Sequence, residues 1–386
     1  MPPAHPLAAI THPDPYPYYA ELTRKRPLYR DTALGMWIAS HPDTIATILR
    51  HPGAQVRPAD EPVPRGLCPG PAGDLFGRFV RMNDGAAHAR LKPLLTAFIA
   101  RRASEQLKAH HDGPSPRLPQ QPAVLASQDW LAAAPRDPAA VDRYLYTAPV
   151  HAQAAFLGLS KAVHADCAAD IAAFLSALPA DAGADRTSAG HAAAARLQAR
   201  MQAHLAGPEA SPALSALHAD ALQAGIAPEQ LAANLAGLLF QSCEAGAGLL
   251  GNALIMAGRR GAACVQTRED ALCLIDDTVR RDPPVHNTRR FMAAPLDVGG
   301  QRIEAGQTVL LVLAAAAMIE PKAGWIFGAH RHACPGASLA RSDAADALLH
   351  VLRKGMDPAP LAARFRYRPL PNARVPQFDF PEDHNR

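Results

Sequence analysis

The chain has 386 residues, 48% hydrophobic and 19% charged, enough apolar surface for a large core and too much for a globally disordered chain. Its 39 Lys and Arg stand against 35 Asp and Glu, net +4, scattered rather than gathered into a stripe, so no nucleic-acid partner is expected. Pro and His crowd Met1 to Pro17, where a secretory leader would carry a basic start and an apolar run, and the longest apolar run, Val309 to Met318, is about half of the roughly 20 residues that a membrane span needs. A soluble, cytoplasmic protein without a membrane partner is therefore expected. Six cysteines (Cys68, Cys167, Cys243, Cys264, Cys273, Cys334) include no CxxC pair, which argues against a disulfide framework or a structural zinc site and leaves thiols for other chemistry.

In chain order, Pro15 to Lys25 reads as a helix with Tyr16, Tyr18, Tyr19 and Leu22 as apolar contacts. Pro27 to Asp31 and Met36 to Ala39 read as strands, and Asp43 to Arg50 as a helix. Pro and Gly dominate Gly53 to Gly77, which predicts a surface loop. Helical spacing returns at Ala86 to Ala103, with a kink expected at Pro93, and a Pro-rich break follows from Gly113 to Pro122. From Ala139 helical periodicity resumes through Val150 to Gly158, His164 to Leu178 and Thr187 to Ala206. Pro228 opens the longest helical candidate, with Arg259 and Arg260 in its last turn and Gly261 just beyond. A helix of that length runs on the order of 50 Å. Its many leucines imply burial, so the carboxylate of Glu244 within it needs a reason. Glu269 to Arg281 reads as a helix stopping before Pro283 and Pro284, and Leu296 to Val298 with Arg302 to Glu304 flank Gly299-Gly300 as a hairpin. Ala337 to Lys354 reads as a helix closed by Gly355. The whole is mainly α with a small β portion, and no repeat or composition shift divides residues 1–386 into more than one domain.

Four groups of residues carry chemistry. Cys334 follows a tight loop with Gly328 and precedes a helix start, where the helix dipole and unpaired N–H groups favour a thiolate, the form a metal ligand requires; the alternative is a buried structural cysteine. Asp277 and Arg280, three apart, share a helix face and can pair, as many surface residues do. His88 and Lys92 are four apart near a helix start, either a cationic pair for a buried anion or a solvated face. Gly246-Ala-Gly248-Leu-Leu-Gly251 with Asp270 beyond is a literal dinucleotide-binding pattern, but helical text precedes it instead of a strand and no βαβ alternation follows, so a dehydrogenase is disfavoured.

Phe327-Gly328-Ala329-His330-Arg331-His332-Ala333-Cys334-Pro335-Gly336 resembles the haem-ligand loop of the cytochrome P450s, in Phe327, Gly328, His332, Cys334 and Gly336; His330 stands where that family usually has Gly. Three further segments resemble the family in order. Asp277-x-x-Arg280 is similar to its Glu-x-x-Arg helix, His88 and Lys92 to a propionate-binding pair, and Gln241 to Asn252 to its oxygen-binding helix. The resemblance implies a triangular, mostly α, single P450-like domain holding haem b, iron protoporphyrin IX. Cys334 would be the metal ligand, with Phe327, His332 and Gly336 around the haem. His88, Lys92 and Arg290 would bind the propionates, and Asp277 with Arg280 would form a buried structural ion pair. Glu244 would be the acidic catalytic residue, and Ala245, with Gly246 beside it, stands where the family places a hydroxyl. Only Ile319 to Gly324 separates the apolar run from Trp325, where the family has a longer segment contributing an Arg to the ion-pair cluster. The implied activity is monooxygenation of a small organic substrate, with electrons from a ferredoxin and ferredoxin reductase, the acidic carrier meeting Lys322, His330 and Arg331. The missing hydroxyl and missing segment support an alternative, a P450-like haem protein acting with peroxide or as a helper to a partner protein.

Overall fold

A computed structural model describes residues 1–111, 134–207 and 211–381. The expected Pro-rich break at Gly113 to Pro122 lies outside the described residues. Helices α1 (Pro6–Ala9), α2 (Tyr16–Lys25), α3 (Pro42–Arg50), α4 (Pro71–Arg78) and α5 (Gly85–His111) precede α6 (Pro138–Leu157), α7 (His164–Ser176), α8 (Ala184–Ala206) and α9 (Pro212–Gln223). Then come α10 (Pro228–Arg260), α11 (Arg268–Arg281), α12 (Leu313–Ile319), α13 (Ala337–Arg353) and α14 (Ala359–Ala363). Several ends follow local chemistry. Thr267 and Asp270 form a reciprocal capping box at the start of α11, Asp137 accepts from the Ala140 N–H at the start of α6, and Gly158 closes α6 in the left-handed conformation.

The main sheet contains β1 (Leu28–Asp31), β2 (Met36–Ala39), β3 (Ala54–Gln55), β4 (Thr288–Met292) and β7 (Thr308–Leu311), in the order β1-β2-β7-β4-β3. Only the β2–β7 pairing is parallel, and Arg290 lies opposite Val309 on β7. The expected hairpin is β5 (Leu296–Val298) with β6 (Gln301–Ile303).

The long helix α10 organises the core. Its first half, Leu231 to Cys243, packs into one apolar cluster with α4, α5 and α7 to α9. Its second half, Ala247 to Ala257, packs into another with α6, α11 and α13. Between the two, Gln241, Ser242, Glu244, Ala245 and Gly246 are only part-buried. The most apolar stretch of this helix is two-thirds buried inside the protein, as a core helix is. The dinucleotide-type glycines are sites of close approach, because a Cβ at Gly246 would strike Pro149, one at Gly248 the Arg374 carbonyl and Pro284, and one at Gly251 Pro376. They let α10 press against its neighbours, with no strand before them.

Two local expectations change. Gly53 to Gly77, expected as a surface loop, contains β3 and most of α4, and buries Leu67, Ala72, Leu75 and Phe76. Tertiary packing overrides its Pro and Gly content here, as Phe76 and Phe79 join an aromatic group with Phe174 and Phe240. Helix α5, with Pro93 inside it, runs past Ala103 to His111. The apolar run from Val309 divides into strand β7 and helix α12, both buried over most of their length.

Candidate active site

A cavity of about 540 Å³ opens where α10 loses its packing, within the size range of small-molecule and cofactor sites. Gln241, Ser242, Ala245 and Leu249 of α10 form one wall. Leu339, Asp343 and Ala347 of α13, with the Phe327–Gly336 loop, form another, and Arg81, Lys92 and Arg290 reach it from the side.

The cysteine loop is folded by its own backbone. A single helical turn over Trp325–Phe327 follows Gly324 and ends at Gly328, both left-handed. The Cys334 N–H then donates to the Phe327 carbonyl at 2.8 Å, closing the loop so that the thiol lies on the cavity wall. His330, standing where the resemblance has Gly, adopts a φ of 56°, the only left-handed non-glycine among the described residues. The turn is thus kept at a cost of about 1 kcal/mol or more. Cys334 lies two positions before Gly336, the cap of α13, so it precedes the helix instead of occupying its first turn. Lys92 clamps the loop by donating to the Ala333 carbonyl at 2.8 Å, and the Arg341 guanidinium lies 4.5 Å from the centre of the Phe327 ring.

Beside Cys334 the structure gathers the other expected cations. The rings of His88 and His332 are 4.4 Å apart, and His332 Nε2 is 2.8 Å from the Asp84 carboxylate, which also receives the Val56 N–H and lies 3.3 Å from Arg331. Burial pushes the Asp84 carboxyl up, but the His332 and Val56 hydrogen bonds and the Arg331 charge outweigh it and bring it down to about 2. Burial and the neighbouring His332 and Lys92 hold His88 down to about 4, so it is neutral at pH 7. Desolvation likewise lowers Arg290, to about 10. Two polar atoms of this group have no hydrogen-bond partner although their residues are only 5% exposed, His88 Nε2 and Arg290 Nε. Buried orphan donors are costly, about 1–3 kcal/mol each, and are tolerated where a ligand completes them. Two carboxylates on a planar cofactor are what this set of donors fits, and a free thiol faces the same space.

The catalytic candidates divide. Ala245 lies on the cavity wall, and position 246 has no room for any side chain. Glu244 lies off that stripe; burial raises its carboxyl, and Arg81 opposes the shift. The buried ion pair expected of Asp277 and Arg280 is corrected. The two do pair, but the Arg280 side chain is 56% exposed, because this end of α11 faces outward beside Cys273 and Lys322. The third partner is Arg260, from the end of α10, at 2.8 Å from Asp277. Arg331, expected to face a redox carrier, points inward to Asp84 and to the His51 and Ala54 carbonyls, whereas Lys322 and His330 are exposed.

Sequence reasoning missed Asp84, Asp343 and Arg81. Asp343 was findable, since Leu339, Ala340, Asp343, Ala344 and Ala347 follow helical spacing and make it the charged member of an apolar stripe. Burial, then the nearby Asp346, raises its carboxyl to about 8.

No family model matches the chain, and no curated protein matches it. Solved structures do. CalO2 is 22% identical with a TM-score of 0.71, each covering 94% of the other. P450 RauA, complexed with a biosynthetic intermediate of aurachin RE, is 19% identical at 0.68 over 94% of both chains. CYP164A2 of Mycobacterium smegmatis, ligand-free, is 22% identical at 0.64 over 97% of both. These likenesses span nearly the whole length, and the chain has the cytochrome P450 fold.

Proposed function

We propose that the chain is a single-domain haem-thiolate oxidoreductase in which Cys334 binds the iron of haem b and a small organic molecule is oxidised. One observation carries this reading: Cys334, Lys92, His332 and Arg290 with its orphan Nε line the same cavity, so a thiol and a set of hydrogen-bond donors wait on one ligand. Thiolate-ligated haem, when bound, supplies activation of dioxygen or peroxide. His88 and Lys92 would hold one propionate, and Arg290 and His332 the other. Asp84 fixes the His332 ring by accepting from Nε2 and keeps it from turning away.

Proton supply is where this chain departs from a simple monooxygenase. Ala245 has no hydroxyl, the Ser242 hydroxyl already donates to the Leu239 carbonyl at 2.8 Å, and the Gln241 amide donates to the Gly237 carbonyl at 2.9 Å. Protons must therefore reach the cavity through ordered water near Glu244 or from the substrate. That observation favours a second reading, a peroxide-driven enzyme or a helper of a partner protein, over one driven by a ferredoxin and its reductase. The test of the first reading is the absorbance spectrum of the purified protein, reduced under carbon monoxide: a thiolate-type band is expected, and its absence overturns the reading. Product formed per reductant consumed, beside peroxide-driven turnover, separates the two. Ala245→Thr is expected to raise coupling in the electron-driven enzyme and to leave a peroxide-driven one unchanged.

A further inference from the structure

Arg81 is the charged group of the cavity that the cofactor reading does not use. It sits in the turn of Val80–Met82 between α4 and α5, and its side chain lines the cavity. Among the described residues it makes no side-chain hydrogen bond and no ion pair. Apart from Arg289, the other cations at the wall are engaged. Arg57 donates to the Glu61 and Pro62 carbonyls, Lys92 to the Ala333 carbonyl, and Arg290 to Thr288 and the Arg289 carbonyl; Arg289, on β4, is exposed as Arg81 is. Desolvation lowers the Arg81 guanidinium, and Cys334 and Glu244 are the acidic groups whose charge reaches it, neither within ion-pair distance. The Arg81 side chain is exposed on the open cavity wall and always charged, so it is free to take an anion that the chain does not provide.

Two propionates already have four donors in His88, Lys92, Arg290 and His332. The cavity that Arg81 lines also carries an apolar set, Phe76, Val80, Leu95, Ile99, Leu238 and Leu249. We propose that Arg81 anchors the acid group of the substrate, so that the cavity takes apolar carboxylic acids, the carboxylate on the guanidinium fork and the hydrocarbon against those side chains. The proposal rests on the reading of this cavity as the substrate site of a haem protein and names its substrate class. Bidentate pairing of Arg with a carboxylate is the geometry that gives such a site direction as well as affinity.

The experiment is calorimetric titration of the purified holoprotein with decanoate and 4-phenylbutanoate, each beside its methyl ester. The acids are expected to bind about tenfold or more tightly than the esters, the size of a charge-assisted hydrogen bond. Arg81→Gln should abolish that difference with haem content unchanged, Arg81→Lys should keep part of it, and Glu244→Gln should leave it intact. Equal binding of acids and esters, or binding of neither, overturns the proposal. So does an acid preference that survives in Arg81→Gln. Loss of haem in Arg81→Gln with retention in Arg81→Lys also overturns it, by placing Arg81 in the propionate cradle. Failure of the haem reading shows separately, as missing haem absorbance, because the acid-to-ester ratio is a heat measurement that needs no chromophore.

Discussion

Two buried arginines of this protein have opposite surroundings. Arg374 is 0% exposed and fully engaged: it donates to Asp282 at 2.7 Å and to the carbonyls of Ile10, His12 and Pro13, and its guanidinium stacks 3.4 Å from the centre of the Tyr367 ring. Asp282 in turn accepts from Tyr16 and Tyr367. Arg290, 5% exposed, keeps an orphan Nε, and His88, against the His332 ring, keeps an orphan Nε2. A buried charge with every guanidinium nitrogen engaged ties the N-terminal segment to the end of α11 and to the C-terminal segment, which is a folding role. A buried charge left incomplete costs stability until a ligand arrives, which is a binding role.

Several measurements can break or sharpen that contrast. Cys334→Ala should eliminate the thiolate-type carbonyl band altogether, whereas replacing the other five cysteines should leave it; a variant lacking Cys334 that keeps the band would mean the cavity binds its ligand in another way. Arg374→Leu should cost about 3–5 kcal/mol, because Asp282 is left buried beside an apolar group, and chemical denaturation of the haem-free protein reads this directly. His88→Leu and Arg290→Met should do the reverse to the haem-free protein, leaving its denaturation midpoint unchanged or higher by about 1 kcal/mol, while haem dissociates faster. If Arg290→Met destabilises the haem-free protein as much as Arg374→Leu, the two regions do not differ in kind.

Smaller effects follow at Asp343 and Asp277. The Asp343 carboxyl is raised to about 8 by burial and by Asp346, so between an unfolded value of about 4 and that folded value the native state binds the extra proton and stability falls as pH rises. Asp343→Asn removes this loss. Its stability to denaturant should exceed that of the parent by little at pH 5 and by more at pH 8, about 1–2 kcal/mol there, discounted because the cavity admits water. A gain that does not grow with pH would show that Asp343 is already ionised. Asp277→Ala should cost only about 0.5–1 kcal/mol, as an exposed pair does, even with Arg260 as a second partner. A loss of several kcal/mol in the melting curve would restore the buried pair that the sequence suggested.

What the sequence determined by itself was what neighbours along the chain decide. Pro228 and Gly261 bound α10, Thr267 caps α11, Gly299-Gly300 turns the hairpin, and the spacing from Phe327 to Gly336 shapes the cysteine loop, because capping, proline and glycine act within a few residues. The cation set came from the family resemblance, since the four-residue spacing of His88 and Lys92 by itself fits a solvated helix face equally well. Only the tertiary structure decided the rest. It made Gly246, Gly248 and Gly251 packing contacts, moved the Asp277 pair to the surface, turned Arg331 inward to Asp84, and set Arg81 on the cavity wall without a partner among the described residues. Desolvation depends on elements far apart in the chain closing over a group, and pairing depends on which charges they bring with them. Nothing local to residue 81 separates an arginine in water from one that waits for an anion.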